Sequence, residues 1–272
     1  MFLPEPHPAA DTARPAEPGL RAHLASGPTD LEAAQRLRYQ VFGEEMGARL
    51  AEPESGLDRD HLDAHCHHLL VRDVQTGEVV ACTRILTEES ASTAGGFYSL
   101  SEFDLGPLTN LPGRTLEVGR TCVRADHRQG AAIHTLWAGL ARFMQAHQYD
   151  HLIGCASIPL SDHTPAQLAW LRLFHRVSSR LRVTPRRSLP NSLSVWHGTP
   201  SRVGLPPLLK AYLRLGARVC GEACHDPDFN VADVLILLNV REMPDRYHRH
   251  FLGAHAPDDR GVGHAGTSAG TG

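Results

Sequence analysis

The sequence predicts a mixed α/β fold, and three observations carry that prediction. Apolar residues recur at helical spacing over 131–146, which is typical of an amphipathic helix. Two strand-like runs, 68–74 and 78–86, flank the turn residues Gln75-Thr76-Gly77 and predict a hairpin. Further strand-like and helix-like runs alternate between residues 115 and 240, as expected of a mixed sheet with flanking helices.

The elements follow in order from a short strand at 20–24. Thr29 and Glu32 have capping-box spacing, which predicts the start of a helix whose apolar positions continue through Phe42. After the hairpin, the pattern predicts strands at 115–123, 151–157 and 233–240, and helices at 131–146, 164–174 and 205–215.

The amino-acid composition indicates where the folded domain begins and ends. Residues 1–19 are rich in Pro and Ala without apolar periodicity, so we predict a disordered leader, and the Gly- and Ala-rich residues 253–272 predict a disordered tail. One domain is therefore expected over residues 20–252.

Charge, hydropathy and cysteine content argue against several classes of protein. A net charge of −3 gives no general attraction to nucleic acid. No apolar run approaches the roughly 20 residues that span a bilayer, and the first residues lack a signal-peptide pattern. The six cysteines are too scattered for a disulfide scaffold, and Cys220 and Cys224 lack a second ligand pair for zinc. We expect a cytoplasmic protein with reduced thiols and no metal.

Residues 163–221, which we name the basic segment, contain ten Arg or Lys and no Asp or Glu. Such a run is often only a solvated face. The functional alternative is a docking surface for an acidic partner or an anionic membrane; few aromatic residues are present to stack nucleic-acid bases. Arginines recur every fourth residue from 172 to 180, so a helix continuing from Thr164 would place three on one face. The docking candidates are Arg172, Arg176, Arg180, Arg186 and Arg187.

Glu117 and Arg120 lie among apolar residues of the predicted strand 115–123. Strand side chains alternate between faces, so a spacing of three places them on opposite sides unless a bulge at Gly119 intervenes. A carboxylate buried there would have a raised pKa that suits it to accept a proton. The alternative is a strand end with solvated charges.

Several separated motifs, taken in order, resemble the acyl-homoserine-lactone synthases, GNAT-type N-acyltransferases that take acyl chains from acyl carrier protein. The matching residues are Arg38, Phe42, Asp60, Asp63, Arg84, Glu117 and Arg120. The resemblance is closer to the L-ornithine N-acyltransferases, the first enzymes of ornithine-lipid synthesis. It covers about residues 20–252 and is carried by 38–45, 96–104, 116–123, 206–217 and 226–233.

Two departures weigh against a lactone synthase: Met46-Gly47-Ala48-Arg49 lacks that family's tryptophan, and the chain continues well past residue 200. The GNAT cofactor loop is also degenerate at 126–132, although a helix N-terminus with exposed N–H groups is still expected there. A carrier-bound pantetheine lacks the adenine nucleotide of CoA, so this loop favours acyl carrier protein as donor. The donor-loop candidates are Arg128, Gly130 and Ala131.

The resemblance implies a GNAT-like domain that transfers a 3-hydroxyacyl group from acyl carrier protein to the α-amine of L-ornithine, with no cofactor beyond the donor thioester. It also implies peripheral contact with an anionic membrane. The alternatives are lactone synthesis, acylation of another amino acid, or a non-catalytic acyl-carrier or membrane adaptor. A carboxylate among apolar strand residues favours the enzyme.

Residue roles follow from that reaction. Glu117 is the expected base, because the amine must be neutral to attack a thioester. Arg120 and Arg84 are expected to hold a carboxylate or the acyl oxygen. Asp60 and Asp63 hold the δ-amine or, alternatively, order their loop by pairing with arginine. Arg38 joins the substrate-binding set, and Phe42 lines an acyl tunnel or packs in the core.

Overall fold

The structure is a computed structural model that describes residues 19–175, 179–194 and 204–244. The predicted tail, and all of the predicted leader except Gly19, lie outside these ranges. Ten strands are described: β1 (Leu20–Leu24), β2 (His67–Asp73), β3 (Val79–Thr87), β4 (Phe103–Asp104), β5 (Thr115–Val123), β6 (His151–Pro159), β7 (Thr184–Pro185), β8 (Arg218–Val219), β9 (Cys224–Asp226) and β10 (Val231–Asn239).

The described helices surround these strands. They are α1 (Pro28–Arg38), α2 (Glu88–Ala94), α3 (Ala131–Ala146), α4 (Thr164–Phe174), α5 (Asn191–Ser194) and α6 (Pro207–Arg214). A π-helix, Tyr39–Glu45, directly continues α1, and a 3-10 turn, Tyr98–Ser101, precedes β4. Within the described ranges, no helix is long and apolar enough to cross a bilayer.

The main sheet has the order β1-β2-β3-β5-β6-β10-β8, with β9 also paired to β10. All its pairs are antiparallel except β5 with β6. That parallel pair is in register only over Thr115–Glu117 and His151–Ile153, and each strand then continues for six residues without pairing to the other. The centre of the sheet is therefore open on the C-terminal side of Glu117.

Two layers cover the sheet. The long helix α3 packs with α4 and α6 over one face, in an apolar core that includes Leu116, Trp137 and Ile236. On the other face, α1 covers β2 and β3, while the 97–111 loop covers β6 and β10 through Phe103. The opening beside Glu117 lies between these two coverings, because Glu117 projects to the same face as its register partner Ile153.

The structure confirms the alternating architecture and moves several boundaries. The predicted strand at 233–240 is observed as β10, two residues earlier, and the hairpin strands shift by one. The capping box is wrong: α1 begins at Pro28 with Gly27 as its N-cap and without a side-chain cap, while Glu32 pairs with Arg36 at 2.7 Å. The fixed φ of proline suits the first helical position, so the helix starts before Thr29.

A bulge interrupts β5, which is the alternative under which Glu117 and Arg120 can face one side. One residue separates Cys82 from Arg84 in β3, whereas two separate their partners Cys122 and Gly119 in β5. Arg120, one residue beyond the predicted position, has a left-handed φ of 52°. The extra residue turns the Arg120 side chain toward the face that carries Glu117.

Candidate active site

A recess lies over the paired strands β3 and β5, next to the point where β5 and β6 separate. Its lining comes from β3, β5, the 98–101 turn and the 58–66 loop. The lining residues are Leu62, Arg84, Leu86, Tyr98, Glu117 and Gly119. Two predicted site residues, Glu117 and Arg84, therefore share one recess.

Glu117 is 3% exposed and accepts two backbone hydrogen bonds. The Tyr98 N–H donates to Oε2 at 2.5 Å and the Ser99 N–H donates to Oε1 at 2.9 Å. Burial raises the pKa of Glu117 to about 7, against the opposing effects of these hydrogen bonds and of Arg84. The carboxylate can therefore exchange a proton near neutral pH, as general base chemistry requires.

Arg120, three residues after Glu117 in β5, lies between two aromatic rings. Its guanidinium carbon is 5.5 Å from the Tyr98 ring centroid and 4.9 Å from that of Phe229. Nε is 3.2 Å from Asp58 Oδ2, and a terminal nitrogen is 3.6 Å from Asp60 Oδ2. Because Tyr98 contacts both Glu117 and Arg120, the structure brings the two predicted catalytic residues to one place.

Arginines and aspartates form a buried network next to the recess. Arg38 donates to Asp58 Oδ2 and to Asp63 Oδ1, each at 2.8 Å. Arg84 donates to Asp60 Oδ1 at 2.6 Å and to Asp63 Oδ1 at 2.9 Å. Burial alone would raise the pKa of Asp63, but hydrogen bonds and charge from Arg38 and Arg84 hold it well below its usual range.

This network bears on the two roles expected of Asp60 and Asp63. Pairing with arginine is observed for both, and Asp63 also accepts from the Gln35 amide at 2.9 Å. Their lone pairs are largely taken, so pairing accounts for their burial without a substrate amine. Binding of the δ-amine by these residues stays a prediction. So does direct substrate contact by Arg38, which is 1% exposed.

Phe42 lies in the π-helix and is 9% exposed. Its ring packs edge-on against Phe229 at 5.6 Å between centroids. The residue belongs to the apolar cluster beneath α1, with Leu37 and Leu70. Core packing is observed, and a role in lining an acyl tunnel stays a prediction.

The predicted donor loop leads into the N-terminus of α3. Gly130 caps the helix with φ of 112°, Ala131 is its first residue, and the first turn carries no acidic residue. Arg128 donates to Glu45 at 2.6 Å and to the Val123 carbonyl at 2.9 Å. The loop thus presents a helix N-terminus without a competing carboxylate, and Arg128 ties it to the π-helix.

The basic segment is not arranged as one helical face. Helix α4 ends at Phe174, so Arg172 and Arg180 lie on separate elements, and Arg176 lies outside the described residues. Arg172 pairs with Glu222 at 2.5 Å. Arg186 and Arg187 lie in a bend after β7 and donate to the carbonyls of Leu100 and His225. The predicted helix 164–174 is confirmed, and because it does not continue to Arg180, the condition for the three arginines to share one helical face is not met.

Several residues of this region were not assigned roles from the sequence. Asp58, Tyr98 and Phe229 contact Arg120, although each is far from it in the chain. Glu102, Asp226 and Asp233 are buried and have carboxylate oxygens within 4.8 Å of one another. The signal available was their position in 96–104 and 226–233, two segments that carry the family resemblance.

Comparison with known proteins supports a common family. Residues 37–138 match the acetyltransferase (GNAT) domain. An L-ornithine N(alpha)-acyltransferase of Rhodobacter capsulatus is 39% identical over 240 residues, which cover 84% of this chain and 92% of the relative. An enzyme of the same name from Rhizobium meliloti is 36% identical over 249 residues, 85% of this chain and 84% of the relative.

The fold agrees with that relationship. A solved CoA-dependent acyl-homoserine lactone synthase, BjaI, matches with a TM-score of 0.51 and 16% identity over 86% of this chain and 89% of its own. At that identity the likeness shows the GNAT fold alone, whereas the sequence relatives confirm the closer of the two resemblances. The chain belongs to the L-ornithine N(alpha)-acyltransferase family and is an acyltransferase of the GNAT fold.

Proposed function

We propose that this protein transfers a 3-hydroxyacyl group from acyl carrier protein to the α-amine of L-ornithine and forms lyso-ornithine lipid. The observation that carries the proposal is the buried Glu117 carboxylate, with a pKa near 7, at the opening between β5 and β6. The names of the relatives support ornithine as the acceptor.

The chemistry needs one proton acceptor and one stabiliser of negative charge. The α-ammonium gives a proton to Glu117, directly or through one water, and the neutral amine attacks the thioester carbonyl. The tetrahedral oxyanion collapses, the C–S bond breaks, and the carrier thiolate leaves and is protonated by the amide-forming nitrogen. Arg120 is the group we assign to the oxyanion or to the ornithine carboxylate, because its side chain is 15% exposed and packs on Tyr98, which lines the recess.

The N-terminus of α3 supports a phosphopantetheine donor. Exposed N–H groups at a helix start attract phosphate, and no carboxylate in the first turn opposes this. Acyl carrier protein is acidic, so the exposed arginines of the basic segment, which include Arg180, suit its approach. The donor thioester is the only group besides ornithine that the proposed reaction requires.

The experiment is an assay with L-ornithine and one 3-hydroxyacyl chain, supplied either on acyl carrier protein or on CoA. Mass spectrometry should detect an N-acylated ornithine with an intact δ-amine. We expect a higher kcat/KM with the carrier-bound donor. Equal kcat/KM for both donors would contradict the carrier assignment, and acylation of other amino acids in preference to ornithine would contradict the acceptor.

A further inference from the structure

Three buried acidic residues meet next to the 98–101 turn, and we name them the acidic cluster: Glu102, Asp226 and Asp233. Their exposures are 1%, 6% and 3%, and oxygen atoms of all three lie within 4.8 Å of one another. They come from three elements, since Glu102 follows the 98–101 turn, Asp226 ends β9 and Asp233 lies in β10. So many buried acids in one place cost free energy unless a donor or cation satisfies them.

The described protein groups do not supply those donors. Neither Glu102 oxygen, nor Oδ1 of Asp233, has a hydrogen-bond partner among the described residues. The Tyr98 hydroxyl and the Cys155 thiol lie close to Glu102 but outside hydrogen-bonding geometry. Asp226 is partly satisfied, because its Oδ1 accepts from the N–H of Asp228 at 2.8 Å. Without a ligand, Glu102 and Asp233 can satisfy each other only by sharing a proton, whereas a bound cation would replace that proton and bring its own donors.

The acidic cluster is joined to the proposed catalytic residues by two aromatic residues. Tyr98, whose N–H holds Glu117, begins the turn that leads to Glu102. Phe229, whose N–H donates to Asp226, packs on Arg120 together with the Tyr98 ring. Tyr98 and Phe229 thus connect the surroundings of the acidic cluster with those of Glu117 and Arg120.

The strand register places Glu117 and Asp233 on one face. Glu117 lies beside Ile153 of β6, and Ser157, four residues further along β6, lies opposite Asp233. Cys155 is between these two positions on the same face. Burial raises the pKa of the Cys155 thiol, and the charges of Glu102, Asp233 and Glu117 raise it further. Cys155 therefore lies between the acidic cluster and Glu117 on this face of the sheet.

We propose that the acidic cluster binds the side-chain ammonium of the acceptor amino acid while its α-amine faces Glu117. This inference rests on the proposed function and specifies its acceptor class, an amino acid with a cationic side chain. A primary ammonium has three N–H donors to offer to three carboxyl groups. A calcium ion would take six to eight oxygen ligands, more than three side chains set among apolar groups such as Leu235 provide.

Proton linkage supports the same assignment. Burial raises the pKa values of Glu102 and Asp233, so the unliganded cluster holds protons that a bound cation displaces. Asp60 and Asp63 are poorer candidates for the ammonium, because Arg84 already pairs with both.

The experiment compares L-ornithine with L-norvaline, which has the same carbon chain without the δ-amine. Glu102→Gln and Asp233→Asn nearly preserve the volume of each side chain. The two variants are measured separately, so the inference can be tested even if only one of them folds. Each should lower kcat/KM for ornithine about 10- to 100-fold, mainly through KM, and leave that for norvaline nearly unchanged. The control is Asp104→Asn, an exposed acid two residues from Glu102, which should keep the wild-type ratio.

A second measurement does not depend on turnover. Ornithine should raise the melting temperature of the wild type more than norvaline does, and this difference should vanish in Glu102→Gln. An unchanged ornithine-to-norvaline preference in both variants would overturn the inference. So would a stoichiometric divalent cation found by elemental analysis and lost in the variants. Failure of the wild type to acylate ornithine, with its binding preference intact, would instead contradict the proposed function alone.

Discussion

At the residue scale, two opposing influences determine the pKa of Glu117. Burial in the sheet disfavours its charged form, whereas the N–H groups of Tyr98 and Ser99 favour it. Burial prevails, which brings its pKa to about 7 instead of the usual range near 4. The residue is thus ionised in part at neutral pH and can both accept and return a proton.

Glu117→Gln should lower kcat roughly 10²- to 10⁴-fold, since it keeps the shape of the side chain and removes its basicity. In the wild type, kcat/KM should rise as pH increases through about 7, because only the deprotonated carboxylate accepts a proton; the variant should lose this rise. Steady-state assays between pH 5.5 and 8.5 test both points. Glu54→Gln, at an exposed turn position, is the control. Wild-type turnover by folded Glu117→Gln protein would remove Glu117 from the mechanism.

The buried ion pairs make a separate prediction about stability. Asp63→Asn should lower the free energy of unfolding by about 3 kcal/mol, because Arg38 and Arg84 lose a buried partner while Asp58 and Asp60 remain.

Urea denaturation at pH 7 measures this change. Glu32→Gln breaks the exposed pair with Arg36 and should cost at most about 0.5 kcal/mol. The depressed pKa of Asp63 also predicts a pH dependence of the free energy of unfolding. The stabilisation by Asp63 is present above the ordinary pKa of an aspartate and is lost as pH falls below that value. Equal losses in the two variants would show that burial adds nothing to the Asp63 pairs.

At the element scale, irregular backbone positions the site. The bulge in β5 turns Arg120 toward Glu117, the π-helix after α1 carries Phe42 and Glu45, and the separation of β5 from β6 leaves the recess open. Each departs from regular hydrogen bonding, and such departures concentrate where ligands bind. The regular parts of the same elements serve as the rigid support.

Gly130 provides a prediction at this scale. Its φ of 112° is one that side-chain-bearing residues rarely adopt, although no crowding opposes a Cβ there. Gly130→Ala should lower the free energy of unfolding by about 1–3 kcal/mol and raise KM for the donor, by disturbing the start of α3.

Denaturation and donor kinetics test the two effects together. Gly204→Ala is the control, since that residue lacks a positive φ and an added Cβ would meet no described atom within 4 Å. A lower stability with an unchanged donor KM would separate the loop from donor binding.

At the scale of the whole molecule, charge is divided between two regions. The aspartates and glutamates lie outside the basic segment, and Asp63 is buried against Arg38 and Arg84. Exposed arginines at 180, 186 and 187 remain available to attract an acidic carrier or an anionic membrane from a distance.

A triple variant should raise KM for acyl carrier protein or abolish sedimentation with anionic vesicles. It replaces Arg180, Arg186 and Arg187 with Glu. The effect should shrink as salt rises, because exposed charges are screened over about 8 Å at physiological ionic strength. Donor kinetics and vesicle sedimentation are measured at low and high salt. The matched control reverses Arg21, Arg36 and Arg142, which lie on other elements. If neither property changes at low salt, the basic segment is only a solvated face.

The sequence by itself determined the class of fold and the family, and it predicted Glu117 as the centre of the candidate site. Apolar periodicity is local, so α3 and α4 were predicted with their observed bounds. A charged residue inside an apolar strand is also a local signal, and it identified Glu117. The spacing of Glu117 and Arg120 left open whether a bulge would bring them to one face, and the register of β5 contains that bulge.

Only the tertiary structure decided which charges meet. In the sequence, Asp63 is only an acidic residue of a loop, whereas in the structure it pairs with Arg38 from α1 and Arg84 from β3. Glu102 and Asp233 lie more than 100 residues apart and become neighbours through the pairing of β6 with β10 and the loop that covers them. Such contacts join residues that are remote in the chain, so no local pattern encodes them. Their burial, pairing and proton affinity therefore emerge only when the sheet assembles.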